Sequence, residues 1–137
     1  SGNRGVAQAV AEGRIAFGLT DTDDALAELQ RGSPVRIVYP DTGPDDVGVL
    51  FIPNTLAVMQ GAPNPEAALS LVNYLLSPEV ETALARSAAG QIPLNPAVTT
   101  ALRVKSPREA RAMDVDFAAA AAVFASAAEL VQERFLE

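Results

Sequence analysis

Ile15–Asp24, IAFGLTDTDD, is the stretch whose reading decides the fold. It opens apolar and β-prone at Ile15, Ala16 and Phe17, passes Gly18 and Leu19, and turns polar at Thr20, Asp21, Thr22, Asp23 and Asp24. Helical spacing follows at Ala25, Leu26 and Leu29. Open α/β sheets place ligands where a strand ends in a polar loop that caps a helix. The pattern therefore predicts a buried strand over Arg14–Leu19, a ligand loop over Thr20–Asp24 and a helix over Thr22–Gln30. Asp21 or Thr22 is the expected cap, and Asp23 and Asp24 suit the positive end of the helix dipole.

Working outward, Asn3 is a candidate N-cap for an upstream helix carrying Val6, Ala7, Ala9 and Val10, stopped by Gly13. Gly2-Asn3-Arg4-Gly5 also suits an anion held at a helix start, with Arg4 as its counter-charge. Downstream, Val35, Ile37 and Tyr39 alternate with Arg36 and Val38, as in a second strand. Pro40–Asp46 is a proline- and acid-rich loop. Asp41, Asp45 and Asp46 lack calcium-loop spacing and read as a solvated turn. Val47–Pro53 and Thr55–Gln60 look extended. Pro65 and Pro78 each sit at a first helical position, capped by Asn64 and Ser77, and the apolar face runs from Ala67 to Arg86. Ile92 and Leu94 are expected to point inward. A short helix is expected over Ala97–Lys105, and Ser106-Pro107 repeats the cap-plus-proline start. Asp116 opens a long final helix with Val115, Ala119, Ala122, Val123, Ser126, Leu130 and Leu136 on one side. The order helix, strand, helix, strand gives the fold class α/β, with parallel strands.

Composition narrows the function. The chain has 137 residues, is 49% hydrophobic and 20% charged, and can bury a core. Its net charge of −7 leaves no basic face for nucleic acid or an anionic membrane. It has no cysteine and no histidine, which removes disulfides, thiolate and imidazole metal sites and histidine-dependent triads. A bound metal ion would need oxygen ligands, of which Asp21 and Asp23 are the candidates. No apolar run reaches the roughly 18 residues of a membrane-spanning helix. The start at Ser-Gly-Asn rather than Met reads as a trimmed segment.

Three stretches carry a resemblance: GNRGVAQAVAEGRIAFGLTDTDD (Gly2–Asp24), VRIVYPDTG (Val35–Gly43), and GVLFIPNTLAVMQGAPNPEAALSLVNYLLSPEVETALARSAAGQIPLNP (Gly48–Pro96). In this order they resemble the C-terminal part of extracellular solute-binding proteins of ABC transporters, family 1, with iron(III)-binding-like members nearest. The most specific stretch is Asn64–Asn95, with its NYLLSPEVE and QIPLNP. The resemblance implies a two-lobed, periplasmic-binding-protein-like (type II) α/β fold with a ligand cleft between lobes. It assigns residues 1–40 to the second lobe, 41–54 to the hinge return, 55–95 to the first lobe, and 96–137 to C-terminal helices packing back on the second lobe. It implies a C-terminal fragment whose partner is the missing N-terminal half or, by swapping, a second copy in a homodimer.

The implied function is non-enzymatic: a periplasmic or extracellular binding component, free or membrane-anchored, that works with ABC transporter membrane subunits. Its ligand would be a small polar molecule or a metal-bearing one, touching Thr20, Asp21, Thr22, Asp23, Asn3 and Arg4. Iron-binding members hold the ferric ion with adjacent tyrosines after this strand; here those positions are Thr20–Asp23, and Tyr39 and Tyr74 lie elsewhere. Two other readings stand beside this one: a carboxylate-based, metal-dependent hydrolase using Asp21, Asp23 and Asp24, and an assembly-only fragment without ligand.

Overall fold

Residues 2–135 are described by the computed structural model; Leu136, assigned above to the apolar side of the last helix, lies outside them. Among the described residues six helices form: α1 (Asn3–Ala11), α2 (Thr22–Gln30), α3 (Pro65–Leu75), α4 (Pro78–Arg86), α5 (Phe117–Ala122) and α6 (Phe124–Phe135). They pair as consecutive neighbours, α1 with α2, α3 with α4 and α5 with α6.

The core lies around α1 and α2. Ala7 and Ala9 of α1 and Leu26 of α2 are buried, with Ala85 of α4 and, further along the chain, Val104 and Ala110. Alanines let the two helix backbones approach closely, and burying Leu26 is worth about 1.5–3 kcal/mol. Glu28 of α2 is also buried. Its carboxylate accepts from the Arg31 guanidinium and from Ser33 Oγ at 3.1 Å. A buried charge held this way is tolerated, whereas one stripped of its partners is strongly destabilising.

The expected strands do not pair. Among the described residues the one ladder contact is an isolated parallel bridge between Val49 and Ala112, closed by Val49 N–H to Arg111 O at 2.8 Å and Met113 N–H to Val49 O at 2.9 Å. Arg14–Leu19 is not a buried strand: Arg14 and Ile15 fold back onto the Ala9 carbonyl, and Phe17 and Leu19 are 86% and 88% exposed. Val35–Tyr39, Val47–Pro53 and Thr55–Gln60 likewise run without a ladder. A strand's backbone groups need a neighbour about 4.8 Å away, and apart from that bridge these segments have none within the described chain. The α/β expectation is thus not realised as a sheet here. The period-2 pattern nevertheless survives: Val35, Ile37 and Tyr39 are half-buried while Arg36 and Val38 are exposed.

Several local expectations also change. Asn3 is the first residue of α1, with Gly2 as its cap. Asn64 starts α3 without a side-chain bond, whereas Ser77 Oγ accepts from Val80 N–H at 3.4 Å. Ala97–Lys105 forms no helix. Ser106-Pro107 begins only a single turn, in which the Glu109 carboxylate accepts from Ser106 N–H and Oγ, both at 3.1 Å. Leu94 is 71% exposed rather than inward; its N–H and that of Asn95 donate to Glu81 Oε2 at 2.7 and 2.8 Å, which fixes this loop to α4. Asp116 caps α5 as expected, accepting from Ala118 and Ala119 N–H at 2.9 and 3.0 Å. The final helix breaks at Val123 into α5 and α6.

No residue of α3, α5 or α6 is buried. The accessible surface is 10472 Å², against about 6,800 Å² for a compact monomer of this mass. The excess is apolar in large part: Ile52, Met59, Leu71, Tyr74, Phe124 and Phe135 are all exposed.

Candidate functional site

The N-termini of α1 and α2 lie side by side, and this brings the two candidate clusters together. Asn3 Nδ2 donates to Asp21 Oδ2 at 2.5 Å. Thr20 Oγ1 donates to the Asn3 carbonyl at 3.0 Å. Gly18 sits against α1; a Cβ there would lie 2.3 Å from Val6 Cγ1, so the approach of the loop to the helix depends on its missing side chain. A small hollow of about 70 Å³, lined by Val6, Val10, Gly18, Thr20 and Ala25, lies between the loop and the two helices.

Asp21 is the N-cap residue of α2 by position, with extended backbone, but its side chain accepts no bond from the helix. The carboxylate reaches across to Asn3 instead. Asp23 and Asp24 occupy the first turn. Oxygens of Asp21, Asp23 and Asp24 lie within 4.8 Å of one another. Asp24 is half-buried, and burial, more than any other cause, raises its carboxyl above the ordinary range. A hydrogen bond with Asp21 and the charges of Asp21 and Asp23 act in the same direction, while Arg4 pulls the other way. The dipoles of two helix starts offset part of this crowding. A cation placed among the three carboxylates would offset the rest.

Asn3, Thr20, Asp21 and Asp23 are thus gathered in one place, with Arg4 near enough to act on Asp24. Thr22 is the first residue of α2 and half-buried. Asp24 is the member with the perturbed carboxyl; the sequence placed it within the ligand loop but not among the named ligand contacts. Its signal was the three-residue spacing from Asp21, which stacks two side chains on one helix face. Asp45 and Asp46 are remote in role: the Asp46 carboxylate accepts from Gly43 N–H at 2.8 Å within its own turn. Tyr39 is committed elsewhere, its hydroxyl accepting from Lys105 N–H at 2.9 Å, and Tyr74 is exposed on α3.

The sequence of residues 1–120 matches the family described as bacterial extracellular solute-binding protein. The chain belongs to that family. A spermidine/putrescine-binding periplasmic protein of Salmonella typhimurium is 33% identical over 76 residues, which is 56% of this chain and 20% of that protein. The protein of the same name in Escherichia coli K12 is 33% identical over the same length. A putative 2-aminoethylphosphonate-binding periplasmic protein of Salmonella typhimurium is 34% identical over 73 residues, 53% of this chain and 22% of that protein. The chain thus spans about a fifth of the length of the curated relatives it matches. No solved structure gives a significant match. Members of the family are non-enzymatic solute-binding proteins of two-lobed fold, and the relatives named here are periplasmic.

Proposed function

We propose that this chain is the C-terminal segment of the solute-binding component of an ABC importer, and that it offers the paired N-termini of α1 and α2 to a small ammonium-bearing solute. The observation that carries this reading is the gathering of Asp21, Asp23 and Asp24 within 4.8 Å beside Asn3. A primary ammonium supplies positive charge and three donors, the complement of crowded carboxylates. The named ligands of the relatives, spermidine, putrescine and 2-aminoethylphosphonate, all carry such a group. Thr20, Thr22 and the Asn3 amide supply polar contacts around it, and Arg4 suits an acidic group on the same solute. No step of chemistry is required. Binding would favour a closed arrangement of two lobes, which the membrane subunits read.

The lobe assignment belongs to the same proposal: residues 1–40 in the second lobe, 41–54 as hinge return, 55–95 in the first lobe, and 96–137 returning to the second. Lys105 bonded to Tyr39, and Arg111 bonded to the carbonyls of Gly43 and Pro44, support the return. The exposed apolar faces call for a covering polypeptide, either the rest of the binding protein or a second copy. Light scattering on the chain alone should show association; a clean monomer would remove that part of the proposal.

A metal held by Asp21, Asp23 and Asp24 is the second reading, favoured by the same oxygen cluster. Ferric binding through paired tyrosines has no support from the positions of Tyr39 and Tyr74. Calorimetric titration of the protein with putrescine, 2-aminoethylphosphonate and calcium distinguishes the two. The amine reading expects saturable binding of an amine, weakened about tenfold or more by Asp24→Asn. Calcium binding without amine binding would favour the metal.

A further inference from the structure

A second hollow lies apart from the one beside Thr20. It has a volume of about 350 Å³ and lies between the Val35–Tyr39 segment and residues 102–109. Leu29, Ile37, Leu102 and Val104 give it apolar walls. Arg103 and Lys105, both exposed, stand around it. Its size falls within the roughly 300–1,000 Å³ of small-molecule sites, and apolar walls with a few polar groups are their usual build.

Its charges are what give it chemistry. Arg103 and Lys105, two positions apart in the chain, both line the hollow and bring two cationic groups to it. Neither has a carboxylate within ion-pairing distance among the described residues, although the chain carries a net charge of −7. The acid lining the hollow, Glu109, turns its Oε2 to Ser106 N–H and Oγ, both at 3.1 Å. The Lys105 ammonium lies 5.4 Å from the centroid of the Tyr39 ring. The Tyr39 hydroxyl in turn accepts from Lys105 N–H, which ties the two sides of the hollow together.

Arg103 is held in place from outside. One guanidinium nitrogen donates to the Ser87 carbonyl. The side chain passes over Gly90, where a Cβ would lie 3.5 Å from the Arg103 terminal nitrogen and 2.6 Å from Leu26 Cδ1. Gly90 also has φ +58°, a conformation that side-chain-bearing residues disfavour. The glycine is needed against Leu26, while the Arg103 guanidinium, with one nitrogen on the Ser87 carbonyl, keeps donors to spare.

We infer that this hollow binds a small organic oxyanion, a carboxylate or phosphate group on an apolar body, with Arg103 and Lys105 on the anion and Ile37 and Leu102 against the body. It is separate from the carboxylate cluster at the helix starts, which has the opposite charge and takes the opposite kind of group.

Phenyl phosphate tests it, with inorganic phosphate as the reference, by calorimetry on the protein. Phenyl phosphate should bind saturably and about tenfold more tightly than inorganic phosphate, because only it fills the apolar walls. Lys105→Gln should weaken it about tenfold. This variant is the decisive one, since the ammonium is exposed and the fold does not depend on it; Arg103→Gln should act in the same direction. Asp24→Asn should leave phenyl phosphate affinity unchanged. No saturation, no effect of Lys105→Gln, or a loss on Asp24→Asn would each overturn the inference, and none of them bears on amine binding at the helix starts.

Discussion

The pair α1–α2 and the pair α5–α6 have similar sequences in one respect, alanine-rich faces at helical spacing, and opposite fates. The first buries Ala7, Ala9 and Leu26 and sets two helix starts against each other. The second buries nothing and leaves Phe124 and Phe135 in solvent. Amphipathic spacing states that a helix has a face to cover; it does not state that the cover lies in the same chain. The carboxylate cluster and the oxyanion hollow both involve the covered region, where side chains have fixed neighbours. The exposed region is where the molecule awaits contact.

The junction between these regions offers the largest expected effect. Gly48 has φ +93°, and a Cβ would lie 2.7 Å from the Ala112 carbonyl carbon and from Met113 N. Backbone atoms of a bridged segment cannot step aside as a side chain can. Gly48→Ala should cost at least about 2 kcal/mol and break the Val49–Ala112 bridge. Denaturant unfolding checks this, and an unchanged midpoint would mean the bridge is not an anchor.

A matched pair of substitutions measures the contrast itself. Leu26→Ala should destabilise by about 2–3 kcal/mol, because the side chain is buried. Leu71→Ala on exposed α3 should stay within about 0.5 kcal/mol in the chain alone. If Leu71→Ala costs more in the full binding protein than in the chain alone, the covering partner is the rest of that protein. Equal, large losses in both settings would erase the distinction between covered and uncovered faces.

Much of this was legible in the residues. Pro65, Ser77-Pro78 and Asp116 mark helix starts through backbone chemistry that acts within four residues, and those helices begin where expected. The candidate loop was legible for the same reason, as acids and threonines at a helix start. What could not be read was anything depending on a second segment. Val35, Ile37 and Tyr39 announce a half-buried face, which the structure shows, but not the expected strand, because a ladder needs a neighbour that no local pattern supplies. Asn3 looked like a cap, yet its amide is spent on Asp21, seated 18 positions away. The Tyr39–Lys105 contact joins residues 66 apart, beyond any periodicity.

The smallest effect sharpens the covered region through pH. Asp24 has its carboxyl raised in the folded state, so between its ordinary and raised values the folded chain holds more proton than the unfolded one. Folding therefore loses stability as pH rises through that window. Asp24→Asn should remove this small loss, leaving a flatter pH–stability profile just above the ordinary carboxylate range. Glu109, lowered by the Ser106 N–H and hydroxyl, works the other way: its contribution is present above its unfolded value and is lost as pH falls through the lower folded one. Glu109→Gln should therefore steepen nothing near neutrality and weaken the protein there uniformly.

Hydrogen exchange of the protein with and without saturating putrescine tests the central claim most directly. The amides of Arg4–Val6 and Thr22–Ala25 should gain protection together, with Pro65–Leu75 unchanged. Protection confined to α3 or to residues 102–109, with the two helix starts unaffected, would contradict the claim that these helix starts hold the solute.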